Sequence, residues 1–165
     1  MVIVALLLAG ALGLLYFPWS GKGAVDRDAL NRALYQSRLQ ELAADFAPRA
    51  AEKQLALTLN AAGPLPVSGY PGLLREMFSN LIDNAVKYTL PGGQIAVDGA
   101  ATSGGVVCSV SDNGIGIPKA HQAHVFERFY RVDKSHSRQT GGTGLGLAIV
   151  KHVARVHGAE LTLRS

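Results

Sequence analysis

The sequence has one cysteine, and Asp, Glu, Lys and Arg make up only 17% of its 165 residues. A single thiol excludes an internal disulfide. Cys108, set in the apolar stretch GVVCSV, reads as a small core residue. Basic runs interleaved with aromatic residues are absent and the net charge is only +4, which sets nucleic-acid binding aside. A charge of that size suits a phosphate ligand or an anionic membrane surface. Neither the GxxxxGK[ST] phosphate loop nor the dinucleotide-binding glycine fingerprint occurs, and no internal repeat is visible. Apolar residues make up 48% of the chain, enough for a real core.

Charge is also missing from the first 21 residues, MVIVALLLAGALGLLYFPWSG. A bilayer-spanning helix needs roughly 20 apolar residues, and Tyr16 and Trp19 stand where interface anchors would. A secretory leader would open on Lys or Arg, and none is there. Pro18 and the unbroken apolar character count against a buried core helix. Residues 1–21 are therefore expected to form a transmembrane anchor. Lys22, Arg27, Arg32 and Arg38 follow it, so the positive-inside rule predicts a single-pass protein of the inner (cytoplasmic) membrane with the remainder in the cytoplasm.

Residues 22–44 read as an amphipathic juxtamembrane helix. Leu30, Leu34, Leu39 and Leu42 fall near helical spacing, Asp26 or Asp28 can cap the start, and Pro48 ends the region. Residues 45–165 form the third segment. Leu55 to Leu59 alternates like a half-buried strand. Pro71 to Thr89 reads as a helix with Leu74, Phe78, Leu81, Ile82 and Ala85 on its apolar face. QIAVDGA and GVVCSVSD are two strands, KAHQAHVFERFY a short helix, and RVDKSHSRQTGGTG a mobile loop. LGLAIVKHVARVHG is a further helix closed by Gly158, and AELTLRS begins a strand.

Three groups of residues carry chemistry. Asn80 and Asn84 lie one turn apart on one helix face, with Lys87 near it and Tyr88 next. An amide oxygen can ligate Mg2+ beside substrate phosphates, and a lysine can neutralise phosphate; a solvated polar face would look the same. Asp112 closes an otherwise apolar strand, where a carboxylate is costly unless paired. It can accept a hydrogen bond from an exocyclic amine such as adenine offers, with Gly114 and Gly116 letting a flat base approach the backbone. An ordinary Asx turn also fits DNG. Finally, GGTGLGLAIV opens a helix with four glycines, an arrangement that can present free N–H groups to phosphate.

NLIDNAVKYT, DNGIGIP, VFERFYRVD and GGTGLGLAIVK occur in that order. Together they resemble the N, G1, F and G2 boxes of sensor histidine kinases over residues 45–165. The resemblance implies a catalytic ATP-binding domain of the GHKL superfamily. Its fold would be a two-layer α/β (α+β) sandwich of the Bergerat type, a mixed, mostly antiparallel sheet with three helices, holding ATP and Mg2+ under a flexible lid. It implies Asn84 as the Mg2+ ligand, Asn80 as the polar residue facing the phosphates, Lys87 as a phosphate contact and Tyr88 as a pocket wall. Asp112 would specify adenine, with Gly114 and Gly116 as hinge glycines. Phe126 and Phe129 would anchor the lid, and Arg131 would reach the γ-phosphate. Gly142, Thr143, Gly144 and Gly146 would line the phosphates, with Leu145 and Leu147 packing beneath. The relatives that hydrolyse ATP carry a glutamate where this chain has Asn80, which cannot act as a general base. The implied chemistry is therefore transfer of the γ-phosphoryl group to a histidine.

The acceptor is missing. His121, His124, His136, His152 and His157 all lie outside the family's H-box context, so a dimerising histidine-bearing domain is expected in trans, with a response regulator as further partner. Residues 26–42, after the apolar run, resemble the N-terminal membrane segment of the CcmI-type factor of cytochrome c maturation, and the two resemblances meet near residues 43–46 like fused fragments. The family continues past LTLRS, so the strand at 160–164 is expected as an open edge. A non-catalytic ATP-binding or interaction module and a cytochrome maturation factor are the alternatives to the kinase reading.

Overall fold

A computed structural model of the chain describes residues 2–8, 11–17, 27–61, 63, 65, 67, 69–102, 105–132 and 142–165. In chain order the elements are β1 (Val2–Leu8), β2 (Ala11–Phe17), α1 (Arg27–Glu52), β3 (Ala56–Ala61), α2 (Pro71–Tyr88), β4 (Gln94–Thr102), β5 (Gly105–Asp112), α3 (Lys119–Gln122), α4 (Gly146–Val156), β6 (Glu160–Leu161) and β7 (Leu163–Arg164). The strands form one mixed sheet in the order β3-β4-β5-β1-β2-β6, with β7 paired to β1. Helices cover one face of it, which is the two-layer α/β arrangement expected.

The period-2 pattern builds the central sheet. Ile95 and Val97 on β4 and Val106, Cys108 and Val110 on β5 are buried. The register pairs Val97 with Val110 and Gly99 with Cys108, so these side chains share one face. Leu74, Met77, Phe78, Leu81, Ile82 and Ala85 of α2, and Val150, Val153 and Ala154 of α4, close onto that face. Pro71 sits at the start of α2, where its missing N–H costs nothing. Gly158 adopts φ +62° just past α4, as a C-terminal glycine does.

Residues 2–8 and 11–17 are strands where a transmembrane helix was expected. Val2–Leu8 and Ala11–Phe17 are antiparallel strands paired from Val2↔Phe17 to Leu8↔Ala11. No helix among the described residues is long and apolar enough to cross a membrane. A continuous apolar run satisfies a buried strand as well as a span, and β-branched Val2, Ile3 and Val4 favour the strand. This hairpin also pairs the 160–164 segment, while β6 remains the last strand of the sheet order, as expected. β6 pairs with β2 through Leu15↔Leu161, and β7 with β1 through Leu6↔Leu163. Trp19, Lys22 and Asp26 lie outside the described residues.

Pro48 does not end the first helix, and α1 runs through it to Glu52. Tertiary contacts outweigh the lost hydrogen bond. Leu39, Leu42 and Ala50 are buried against the core, and ion pairs to α2 flank the proline, Asp45–Arg75 at 2.6 Å and Arg49–Asp83 at 2.8 Å. The helix expected over 119–130 is also shorter. It stops at Gln122, and turns follow to Phe129. The centre of the polar loop expected at 131–144, residues 133–141 with His136, lies outside the described residues.

Candidate functional site

Asp112 is the last residue of β5, opposite Ile95 of β4, so its carboxylate falls on the helix-facing side of the sheet. It is 7% exposed, and its Oδ1 accepts the N–H of Gly114 at 2.9 Å. That is the Asx turn anticipated for DNG, now inside the core. Gly114 is pressed onto the end of α2. A Cβ there would lie 2.3 Å from Tyr88 O and 2.8 Å from Thr89 Cα, so only glycine fits. Ile115 N–H then donates to Tyr88 O at 3.2 Å, and Gly116 follows with φ +71°. Asn113 locks the turn to β4, its Oδ1 accepting Gln94 N–H at 2.7 Å.

The polar face of α2 passes the start of α4. Asn80 donates from Nδ2 to Glu76 O at 2.8 Å. Its Oδ1 would be 2.8 Å from a Cβ on Gly146, the first residue of α4. Asn84, one turn on, is half-buried. The Tyr88 hydroxyl comes within 4.0 Å of a Cβ built on Gly142. Asn80, Tyr88 and the glycine-rich segment therefore converge, with Gly142 to Gly146 threading past α2. Thr143 is exposed, whereas Leu145 and Leu147 are half-buried, Leu147 against the core.

Lys87 is held elsewhere on that face, by Asp83 at 2.5 Å. Asp83 also takes Arg49 of α1. Burial alone would raise the Asp83 carboxyl, but Lys87 and Arg49 together outweigh it and hold it below the ordinary carboxylate value.

The two ends of the polar loop meet. Phe129 N–H donates to Gly144 O at 2.8 Å. Both residues are left-handed, with φ +64° and +71°, and a Cβ on Gly144 would strike the Phe129 backbone. Phe129 is thus held through its main chain and its ring is 69% exposed, not packed as a hydrophobic anchor. The left-handed φ turns the side chain outward. Phe126 is half-buried, and Val125 is the buried residue of this turn. Arg131 follows, its Nε and Nη2 buried with no hydrogen-bond partner among the described residues.

Three contributors had no sequence signal. Lys53 caps the C-terminal end of α2 through three carbonyls. Thr89, 1% exposed, buries its Oγ1 without a partner among the described residues. Val125 passes unnoticed just before Phe126 and Phe129.

Mg2+ fits the donor set. Among the described residues no three His, Cys, Asp or Glu side chains cluster as a metal site. Mg2+ is commonly bound through one or two protein oxygens plus substrate phosphates and water. The half-buried amide of Asn84, one turn from Asn80 on α2, would be such an oxygen.

Residues 69–165 match the family described as histidine kinase-, DNA gyrase B-, and HSP90-like ATPase. The sensor-like histidine kinase SenX3 of Mycolicibacterium smegmatis is 46% identical over 112 residues, 68% of this chain and 29% of that protein. The phosphate regulon sensor protein PhoR of Pseudomonas aeruginosa is 49% identical over 109 residues, 66% of this chain and 25% of that protein. The chain thus spans less than a third of these curated relatives. Among solved structures, the mycobacterial sensor histidine kinase MprB superposes with a TM-score of 0.59 at 32% identity, covering 73% of this chain and 77% of that one. Full-length ShkA in complex with AMPPNP gives a TM-score of 0.63 at 30% identity, covering 79% of this chain and 29% of that one. The family match begins at residue 69 and does not reach the segment that resembles the cytochrome maturation factor.

Proposed function

The chain belongs to the family of histidine kinase-, DNA gyrase B- and HSP90-like ATPases, and on that premise we propose that it binds Mg–ATP and donates the γ-phosphoryl group to a protein histidine. The observation that carries this reading is Asp112, a buried carboxylate on the helix side of the sheet beside a glycine that admits no side chain. A carboxylate there accepts the adenine amine, and the bare Gly114 backbone lets the base lie flat against it. Gly116 continues the turn and Tyr88 forms a wall.

The N-terminal end of α4 receives the phosphates, with Gly142, Thr143, Gly144 and Gly146 exposing backbone N–H groups and Leu145 and Leu147 seating the helix. Asn84 holds Mg2+, which neutralises phosphate charge when bound. Asn80 orients at the phosphates and, lacking basicity, activates no water. Arg131, with buried guanidinium nitrogens awaiting acceptors, serves the γ-phosphate. Lys87 joins the phosphates by exchanging its Asp83 partner. The nucleophile is an imidazole nitrogen; its bond to phosphorus forms as the bond from phosphorus to the β,γ-bridging oxygen breaks, and ADP leaves. None of the five histidines sits in an acceptor context, so the acceptor is a histidine of a dimerising helical domain beyond these 165 residues, with a response regulator downstream. The use of ATP puts the site on the cytoplasmic side.

Calorimetry of the full chain with Mg–ATP tests the reading. Wild type should bind, and Asp112→Asn should lose roughly thirtyfold in affinity, the scale of one charge-assisted hydrogen bond. Equal affinities in the two proteins would refute the adenine role.

A further inference from the structure

Lys53 lies just past α1, and its ammonium donates to the carbonyls of Val86, Lys87 and Thr89, each at 2.8 Å. Three donors meet three acceptors, the full capacity of the group. These carbonyls are at the C-terminal end of α2, where a helix leaves oxygens unpaired and a cation is favoured. The carbonyl skipped in this series, Tyr88 O, accepts Ile115 N–H at 3.2 Å and lies against Gly114. Thus four successive carbonyls are divided between two partners, three to the ammonium and one to the turn that follows Asp112.

We propose that Lys53 is a positioning residue for the nucleotide site: by holding the carbonyls of residues 86, 87 and 89 it keeps Tyr88 O aimed at the Gly114–Ile115 backbone and so fixes α2 against the Asp112 turn. The inference rests on the reading of Asp112 as the adenine acceptor. A cap that only stabilised the helix would leave affinity alone in the folded protein. A clamp on this junction alters the adenine end for every adenine nucleotide equally.

The test titrates full-chain wild type, Lys53→Met and Lys53→Arg with Mg–ATP and with ADP. In K53M, folded by circular dichroism, both affinities should fall about tenfold and by the same factor, the scale of hydrogen bonds to a charged group. Wild-type affinity in folded K53M, or a loss confined to ATP, would overturn the proposal.

If K53M does not fold, the pH profile decides. Burial holds the Lys53 ammonium below the ordinary lysine value. Wild-type ADP affinity should therefore fall as pH rises toward the ordinary lysine value and the group loses a proton and one of its three donors. In K53R, which stays charged, that fall should vanish. The other ionisable groups at this end are Arg49 and Glu52 on α1 and Asp83, Lys87 and Tyr88 on α2, while the 89–93 and 113–117 turns carry none. K53R retains them all, and Asp112 on β5, so the difference between the two profiles belongs to residue 53. A flat wild-type profile, or the same fall in K53R, would overturn the role. A wild-type chain that binds neither nucleotide would refute the ATP reading itself, and Lys53's role with it.

Discussion

The two halves of the sheet are held in different ways. β3, β4 and β5 pair over six and eight residues in unbroken register, and their inner face carries the buried valines and isoleucine of the core. On the other side, β1 divides one edge between β5, over three pairs, and β7, over two, and β6 contributes two residues to β2. Every residue proposed to touch nucleotide sits on the first half, on α2 or α4, or on the turns between them. Asp112 lies beyond Ser109, the last β5 residue that pairs with β1. The site is therefore built where pairing is continuous, and the hairpin closes the far side of the sheet without touching it.

The largest expected effect breaks the first half. Gly114→Val places side-chain atoms inside the Tyr88 carbonyl and must part α2 from β5, costing about 3 kcal/mol or more from overpacking and abolishing nucleotide binding. A folded variant with wild-type affinity would show that the close approach is not required. Deleting residues 1–21 strikes the second half. It should lower the melting temperature by several degrees, at roughly 2–4 °C per kcal/mol for a domain of this size, while ATP affinity stays within about twofold. Loss of binding in a folded deletion variant would erase the contrast between the halves. An unchanged melting temperature would show that the hairpin adds nothing to the sheet, and would return the uncharged run to the spanning role its composition suggests.

The same division explains what could be read from the residues alone. The roles proposed for Asn80, Asn84, Asp112 and the glycines from 142 to 146 rest on residue type, since few other residues could ligate, accept or stand aside there. The helix and strands that bear them were legible in the sequence. The uncharged N-terminal run was not, because a bilayer and a sheet edge both satisfy an apolar segment and only the presence of β5, β6 and β7 decides between them. Pro48 misled for a related reason: the ion pairs of Asp45 and Arg49 that hold the helix together across it come from α2. Lys53 gave no signal because its partners are backbone carbonyls. Phe129 looked like an anchor until its left-handed backbone turned it outward.

A smaller effect sharpens the comparison at the contact of α1 with the first half. Asp83 has its carboxyl held low by Lys87 and Arg49 against the opposing cost of burial. Its stabilising contribution is complete above the unfolded carboxylate value and is lost as pH falls through the lower folded one. Asp83→Asn should therefore cost about 1 kcal/mol near neutral pH, discounted for the partly exposed pair, and should flatten part of the acid limb of the stability profile. An unchanged acid limb would mean that the pair is decorative.

The smallest effect expected is none at all, and it tests whether the first half stays closed. Cys108 is 3% exposed on the core face of β5, and burial pushes its thiol up to about 12. The reactive thiolate is then scarce and sterically shielded near neutral pH, so the native chain should resist alkylation and react fully once unfolded. Because β1 pairs with β5 at Cys108 itself, through Val4, the deletion of residues 1–21 gives the decisive comparison. If the core face is protected by α2 and α4 alone, alkylation of the deletion variant should be as slow as that of the full chain. Fast labelling would show that the hairpin keeps β5 seated, and that the two halves of the sheet are one cooperative unit.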